Sequence, residues 1–196
     1  MDYNLSFTAG ALLYNEAKEY IDAIPDFKSY LKGEERPDYT VLSTNSDSSK
    51  KRLKSELDKR LPTLALSYLE SFNRLRIQDQ KCVLFLAFCK SYSIMTEFVI
   101  EVVYEKWKIF DFNLSPYDFE YFLNEKLSDE RLDQITDKTK YKLAQVAIKT
   151  LRDLGMVTDT SIDPIKPSAE LLQLFREEDN LWFLNCLLIT NPNQLA

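Results

Sequence analysis

Lys138, Lys142, Gln145, Lys149 and Arg152 follow one another at intervals of four, three, four and three residues. At about 100° per residue, these intervals hold all five side chains within roughly 80° of one helix surface. A row of cations aligned in this way suits one chemistry, contact with phosphates, each contact releasing condensed counterions. Gln145 adds an amide that can read an adenine edge in a major groove, and Lys149 or Arg152 can read a guanine. A second basic set comprises Lys50, Lys51, Arg52, Lys54, Lys59 and Arg60. It is denser but spread around its helix, and Glu56 and Asp58 dilute it. It too suits phosphate contact. For both sets the alternative is an ordinary solvated face on a helix that packs through its apolar side.

The elements that must position these residues are legible. Leu143, Ala147, Leu151 and Leu154 fall opposite the cations, which predicts an amphipathic helix from Thr136 to Leu154. Gly155 ends it. Met156 to Pro167 reads as a short hairpin, and a new helix starts at Ser168. This is the order found at the recognition helix and wing of winged helix-turn-helix modules. Lys166 stands where a wing lysine would, although Asp159 and Asp163 beside it weaken that contact.

Upstream, Thr8 is read as the cap of a helix through Leu12, Leu13, Tyr14, Ala17 and Ile21, stopped by Pro25. Asp26 to Lys32 is a short amphipathic helix ended by Gly33. Glu34 to Ser49 reads as a surface loop. A helix from Ser46 or Ser48 to Pro62 buries Leu53, Leu57 and Leu61. Further helices are predicted over Thr63 to Leu75, Asp79 to Tyr92 and Ile94 to Phe110. Ser115-Pro116 starts another, a capping serine followed by proline at the first helical position. Asp129 to Ile135 is a short turn, and helices over Ser168 to Arg176 and Asp179 to Ile189 close the chain.

Period-two alternation is nearly absent outside Met156 to Pro167. The expected fold is therefore all-α, a compact multi-helix protein with a winged-helix-like C-terminal portion. The expected organisation is one domain, or two closely packed helical subdomains over 1–115 and 116–196, the latter holding the winged-helix-like segment 136–176.

Composition limits the chemistry. The 196 residues are 45% apolar and 13% aromatic, enough for a real core. The net charge of −6 means that nucleic-acid binding must rest on a local patch, not on bulk charge. There is no histidine, which removes Ser-His-Asp and Cys-His catalysis and histidine metal sites. Cys82 and Cys89 lie about 10 Å apart along one helix, too far for a disulfide within it. With Cys186 they read as small core hydrophobes in a reducing compartment. No glycine-rich phosphate loop, CxxC pair or calcium loop is present, so no catalytic residue, metal or cofactor is expected.

Glu97, Glu101 and Glu105 form an acidic stripe, read as an exposed or salt-bridged surface. The aromatics from Tyr117 to Phe122 read as core, with base stacking as the alternative. Glu16 is the buried-carboxylate candidate, with Arg52 or Arg60 as its expected partner. The longest apolar run, Cys82 to Cys89, is far shorter than the ~20 residues of a membrane helix. No membrane partner is expected. Without a visible signal peptide, the cytoplasm is the expected location.

Several segments together resemble the BrxA family, small components of BREX bacteriophage-defence systems. They are the runs Leu5 to Glu16, Ser49 to Arg52 on through Arg60-Leu61, Ala87 to Tyr92, Glu97-Phe98, Lys140 to Gly155, and Pro164 to Leu172. The resemblance covers most of the chain in order, and it rests on the ordered set, not on one motif. It implies a helical protein likened to the RNA-binding factor NusB, associated with double-stranded DNA, and without enzyme activity. The family has no binding signature, so the basic residues above come from the helical wheel alone. The expected function is duplex DNA binding within a BREX system. The alternatives are a protein-interaction subunit docking a larger BREX component, and an RNA-binding factor.

Overall fold

Side-chain caps open six of the helices. In the computed structural model, which describes residues 3–190, there are eleven α-helices among the described residues. They are α1 (Tyr14–Asp22), α2 (Phe27–Lys32), α3 (Asp47–Arg60), α4 (Leu66–Ser71), α5 (Ile77–Ser91), α6 (Ser93–Phe98), α7 (Tyr104–Lys108), α8 (Pro116–Lys126), α9 (Asp129–Asp133), α10 (Asp137–Leu154) and α11 (Ala169–Glu177). Asp26, Ser46, Ser128, Thr136 and Ser168 each accept a backbone N–H from the first turn of the helix that follows. These bonds satisfy donors that a helix start leaves open. At α8, Ser115 and Asp118 form a reciprocal capping box in front of Pro116. The fold is all-α, as expected.

The chain divides into two compact units, each discontinuous. One holds Leu12–Ser91 and Pro167–Asn180; the other holds Tyr92–Lys166, the segment up to Ala11 and the segment from Leu181. The units are discontinuous because late segments complete early helices. In the first unit, the Ser168 amide donates to Asp79 at 3.0 Å and Asn180 donates to the Tyr68 hydroxyl at 3.0 Å.

In the first unit α3 packs on α1 and α5, and α2 packs on α4. Tyr20, Tyr30, Tyr68, Phe72, Phe85 and Phe88 fill the core. In the second unit α8 and α10 form the main helix pair. Phe98 lies 4.8 Å from Phe119 and 5.5 Å from Phe122, and Phe7 lies 5.0 Å from Tyr92. Leu143, Ala144, Val146, Ala147, Ile148, Leu151 and Leu154 bury one side of α10.

Four helices differ from the sequence reading. The first helix starts at Tyr14, and Thr8 lies in a turn. Phe7 is fully buried against Tyr92 and Phe119, so packing draws this segment out of helical geometry. The helix expected over Thr63 to Leu75 is broken into a 3-10 turn at Leu61–Thr63, extended backbone at Leu64 and Ala65, α4, and a second 3-10 turn. The helix expected from Ile94 is α6 joined to α7 through a π turn at Val99–Val103. The expected terminal helix is a 3-10 run, Leu181–Leu187.

The hairpin after Gly155 is reduced to one isolated antiparallel bridge, Val157 to Ile162, and no longer strand forms among the described residues. Thr158 accepts the amides of Thr160 and Ser161, closing a tight turn. The ladder stops there because Gly155 closes α10 and the next inward amide, of Ile165, donates instead to Leu187 at 3.1 Å. Among the described residues no single helix is long and apolar enough to cross a membrane.

Candidate nucleic-acid interface

α10 owes its two ends to two residues. Thr136 accepts the Thr139 amide at 3.2 Å. Gly155 stands in the left-handed region at φ 85°, and the next amide, of Met156, reaches back to Leu151 at 3.0 Å. That conformation costs any residue with a Cβ. Between these ends Lys138, Lys142, Gln145, Lys149 and Arg152 are all exposed, opposite the buried face. From Lys138 to Arg152 the row runs about 21 Å at 1.5 Å per residue.

The row is uneven in charge. Lys149 pairs with Asp153 at 2.8 Å, and Arg152 pairs with Asp159 at 3.0 Å. Lys138 and Lys142 carry no ion pair among the described residues. The N-terminal half of the face is therefore free cation, and the C-terminal half is cation held by acids in water. Exposed pairs of this kind are worth about 0–1 kcal/mol, so a phosphate competes for them at low cost. Gln145, Lys149 and Arg152 line a shallow groove of about 390 Å³ with Pro116 and Ile148. Lys166 is exposed.

α3 carries the second basic set. Its periodicity differs from the expected leucine stripe, because Glu56, Leu57 and Arg60 are the buried positions and Leu53 is only half-buried. Arg60 departs from its expected place as a solvent-facing cation. It is 3% exposed, pairs with Glu56 at 2.8 Å and lays its guanidinium 4.4 Å from the centre of the Phe88 ring. A planar, weakly hydrated cation can be buried if it is paired and stacked. Glu56, not the half-buried Glu16, is thus the buried carboxylate that holds Arg60.

The remaining cations of α3 gather with one from outside it. Arg36, Lys51, Lys54 and Lys59 line a groove of about 420 Å³ with Ser55 and Asp58. Asp58 is shared by Arg36 at 3.0 Å, by Lys54, and by the Tyr20 hydroxyl, which donates to it at 2.7 Å. Burial, then the bond to Asp58, pushes the Tyr20 hydroxyl above the ordinary tyrosine range, so it stays a neutral donor. Lys51 sits 4.9 Å over the Tyr39 ring. Lys50 is half-buried and Arg52 exposed, outside this groove lining. Arg36 was missed because it lies in the segment read as a loop, where no periodicity flags it.

The other candidates resolve as structure. Lys126 is held by Glu97 at 2.9 Å and by Glu101, and Lys108 by Glu105 at 3.1 Å, so the acidic stripe is a salt-bridge surface. These carboxylates hold the Lys126 ammonium well above the ordinary lysine range. Phe119 and Phe122 are core, but Tyr117 and Tyr121 are exposed. Cys82, Cys89 and Cys186 are buried and outside any disulfide. Burial pushes the Cys82 thiol up to about 12. Among the described residues no group of three or more Asp, Glu or Cys side chains is placed to hold a metal ion.

The fold and these two surfaces define an all-α protein that presents cationic helix faces on an acidic chain. It belongs to the BrxA family, whose model matches residues 1–179. A BREX protein BrxA of Bacillus cereus (strain H3081.97) is 26% identical over 155 residues, 78% of each chain. A crystal structure of an uncharacterized protein from Magnetospirillum magneticum is similar with a TM-score of 0.73 and 19% identity. The match covers 96% of this chain and 99% of that one, and at this identity it speaks to the fold alone.

Proposed function

We propose that this chain is a component of a BREX bacteriophage-defence system that binds double-stranded DNA through the exposed face of α10, with no catalysis of its own. The observation that carries the reading is the alignment of Lys138, Lys142, Gln145, Lys149 and Arg152 on solvent over about 21 Å. A span of that length faces about six base pairs at 3.4 Å each. Lys166 and the Arg36, Lys51, Lys54 and Lys59 groove add further phosphate contacts. Family membership and the BREX name of the Bacillus relative support the defence setting. Contacts are chiefly to phosphates, which position the protein without reading sequence.

Fluorescence anisotropy with duplex DNA at two salt concentrations tests this. Log affinity should fall against log salt with a slope near −0.9 per phosphate neutralised. The triple variant Lys138→Glu, Lys142→Glu, Lys149→Glu should lose binding while its helical circular dichroism is unchanged. Normal duplex binding by that variant rejects α10 as the interface. Competition with RNA of matched length decides between duplex DNA and the RNA ligand that the NusB likeness suggests.

A further inference from the structure

The end of α7 and the start of α8 expose apolar side chains that the duplex reading leaves unused. Ile109 is 70% exposed, Phe110 80%, Tyr117 73% and Tyr121 67%. Ile109, Tyr117 and Tyr121, with Val102, line a groove of about 400 Å³. Phe110 follows Ile109 in the chain and holds φ 59°, in the left-handed region. A helix that ends in that region does so most often on glycine, and a residue with a Cβ is strained there. Here a phenylalanine holds that position with its ring in water. Its ring contact is an edge-on one with Phe112 at 6.3 Å. Folding gains little from either feature. Strained backbone and clustered exposed apolar surface both mark interaction sites.

The rim states the partner's chemistry. Glu101, Glu105, Asp118 and Glu125 line the groove with a single cation, Lys106. Lys106 is itself held by Asp118 at 3.1 Å and by Asp111 at 2.8 Å. Lys108 and Lys126, on Glu105 and Glu101, offset part of this charge. With Glu97 and Asp111, six carboxylates still stand against three ammonium groups. A two-fold pair of this chain would set like charge against like charge, and an anionic membrane surface would be repelled.

From this apolar floor and acidic rim we infer that the groove docks a cationic amphipathic helix of a partner protein. The apolar side of that helix lies on Ile109, Phe110, Tyr117 and Tyr121, and its lysines or arginines meet the rim. No residue lines both this groove and the α10 groove, and neither substitution below touches an α10 cation, so the two readings fail independently.

Two 14-residue helical peptides test it, one of leucine and lysine and one of leucine and glutamate, with leucines on one face. Calorimetry on the full chain at physiological salt should give saturable 1:1 binding of the lysine peptide. The glutamate peptide should bind at least ~10-fold more weakly. Phe110→Gly and Tyr121→Ser leave the net charge unchanged, and each should weaken the lysine peptide by about 10-fold. Phe110→Gly should leave the melting temperature unchanged or raise it by up to about 2–4 °C.

Equal binding by wild type and both variants would mean only general attraction to an acidic chain, and overturns the proposal. So does the absence of saturable binding, or a fall in melting temperature with Phe110→Gly, which would make the ring a structural residue. A dimer in sedimentation that Phe110→Gly dissolves would assign the groove to a second copy, and overturns it as well.

Discussion

The guanidinium of Arg60 meets the carboxylate of Glu56 at 2.8 Å, one helical turn apart and shut away from water. Each charge is offset chiefly by the other, with Lys59 3.7 Å from the second Glu56 oxygen. Arg60→Leu should therefore destabilise the protein by about 3 kcal/mol by removing the main partner of a buried carboxylate. The double variant with Glu56→Leu should recover most of that loss. Chemical denaturation of the two singles and the double measures the coupling. Additive losses would show that the pair is not a unit.

In the proposed duplex interface, the acids beside the α10 cations act as a brake on that face. Asp153 and Asp159 occupy Lys149 and Arg152. Asp153→Asn and Asp159→Asn should each raise duplex affinity about two- to fivefold at low salt, the worth of an exposed pair. The salt slope should steepen together with affinity. Anisotropy titrations at several ionic strengths check both.

In the proposed interface Lys138 and Lys142 have no ion pair among the described residues to give up. Lys142→Ala should cost more affinity than Arg152→Ala, whose side chain must first leave Asp159. It should also reduce the salt slope by about 0.9. The reverse order would place the main contacts at the C-terminal end of α10.

Gly155→Ala tests the stop of α10. At φ 85° the added Cβ should cost about 1 kcal/mol, lowering the melting temperature by roughly 2–4 °C. Duplex affinity of the folded fraction should be unchanged, because Gly155 bears no contact.

Cys82 gives an alkaline signature. Its thiol ordinarily titrates at 9.0 and in the fold is pushed up to about 12 by burial. The folded state thus holds a proton that the unfolded chain releases. Its stabilising effect is complete below pH 9 and is lost as pH rises toward 12, at most about 1.4 kcal/mol per unit. Cys82→Ala should flatten the stability profile between pH 9 and 10, below the ordinary tyrosine range. A thiol reagent at pH 8 should not label the native chain, and should reach all three cysteines after denaturation.

Long periodic segments were legible in the sequence because local pattern and packing agree there. α10, with its threonine cap, buried leucines and terminal glycine, is the clearest case, and Ser115-Pro116 another. The misread segments are those where distant contacts win. Phe7 leaves helical geometry to enter an aromatic cluster with Tyr92 and Phe119. On α3 a charged pair, not Leu53, takes the buried stripe. Arg36 reaches the basic groove through Asp58, 22 positions away, which no local pattern records. Phe110 gave no signal because a left-handed backbone angle at a non-glycine residue leaves no trace in composition.

The discontinuity of the two units bears on how the protein is made. Helices α1 to α5 leave the ribosome early, yet Asp79 and Tyr68 must wait for Ser168 and Asn180. The Phe7 cluster likewise waits for Phe119. Neither unit can close during most of translation. Nascent chains stalled before residue 180 should lack native protease resistance throughout, and appending a C-terminal fusion should delay maturation more than an N-terminal one.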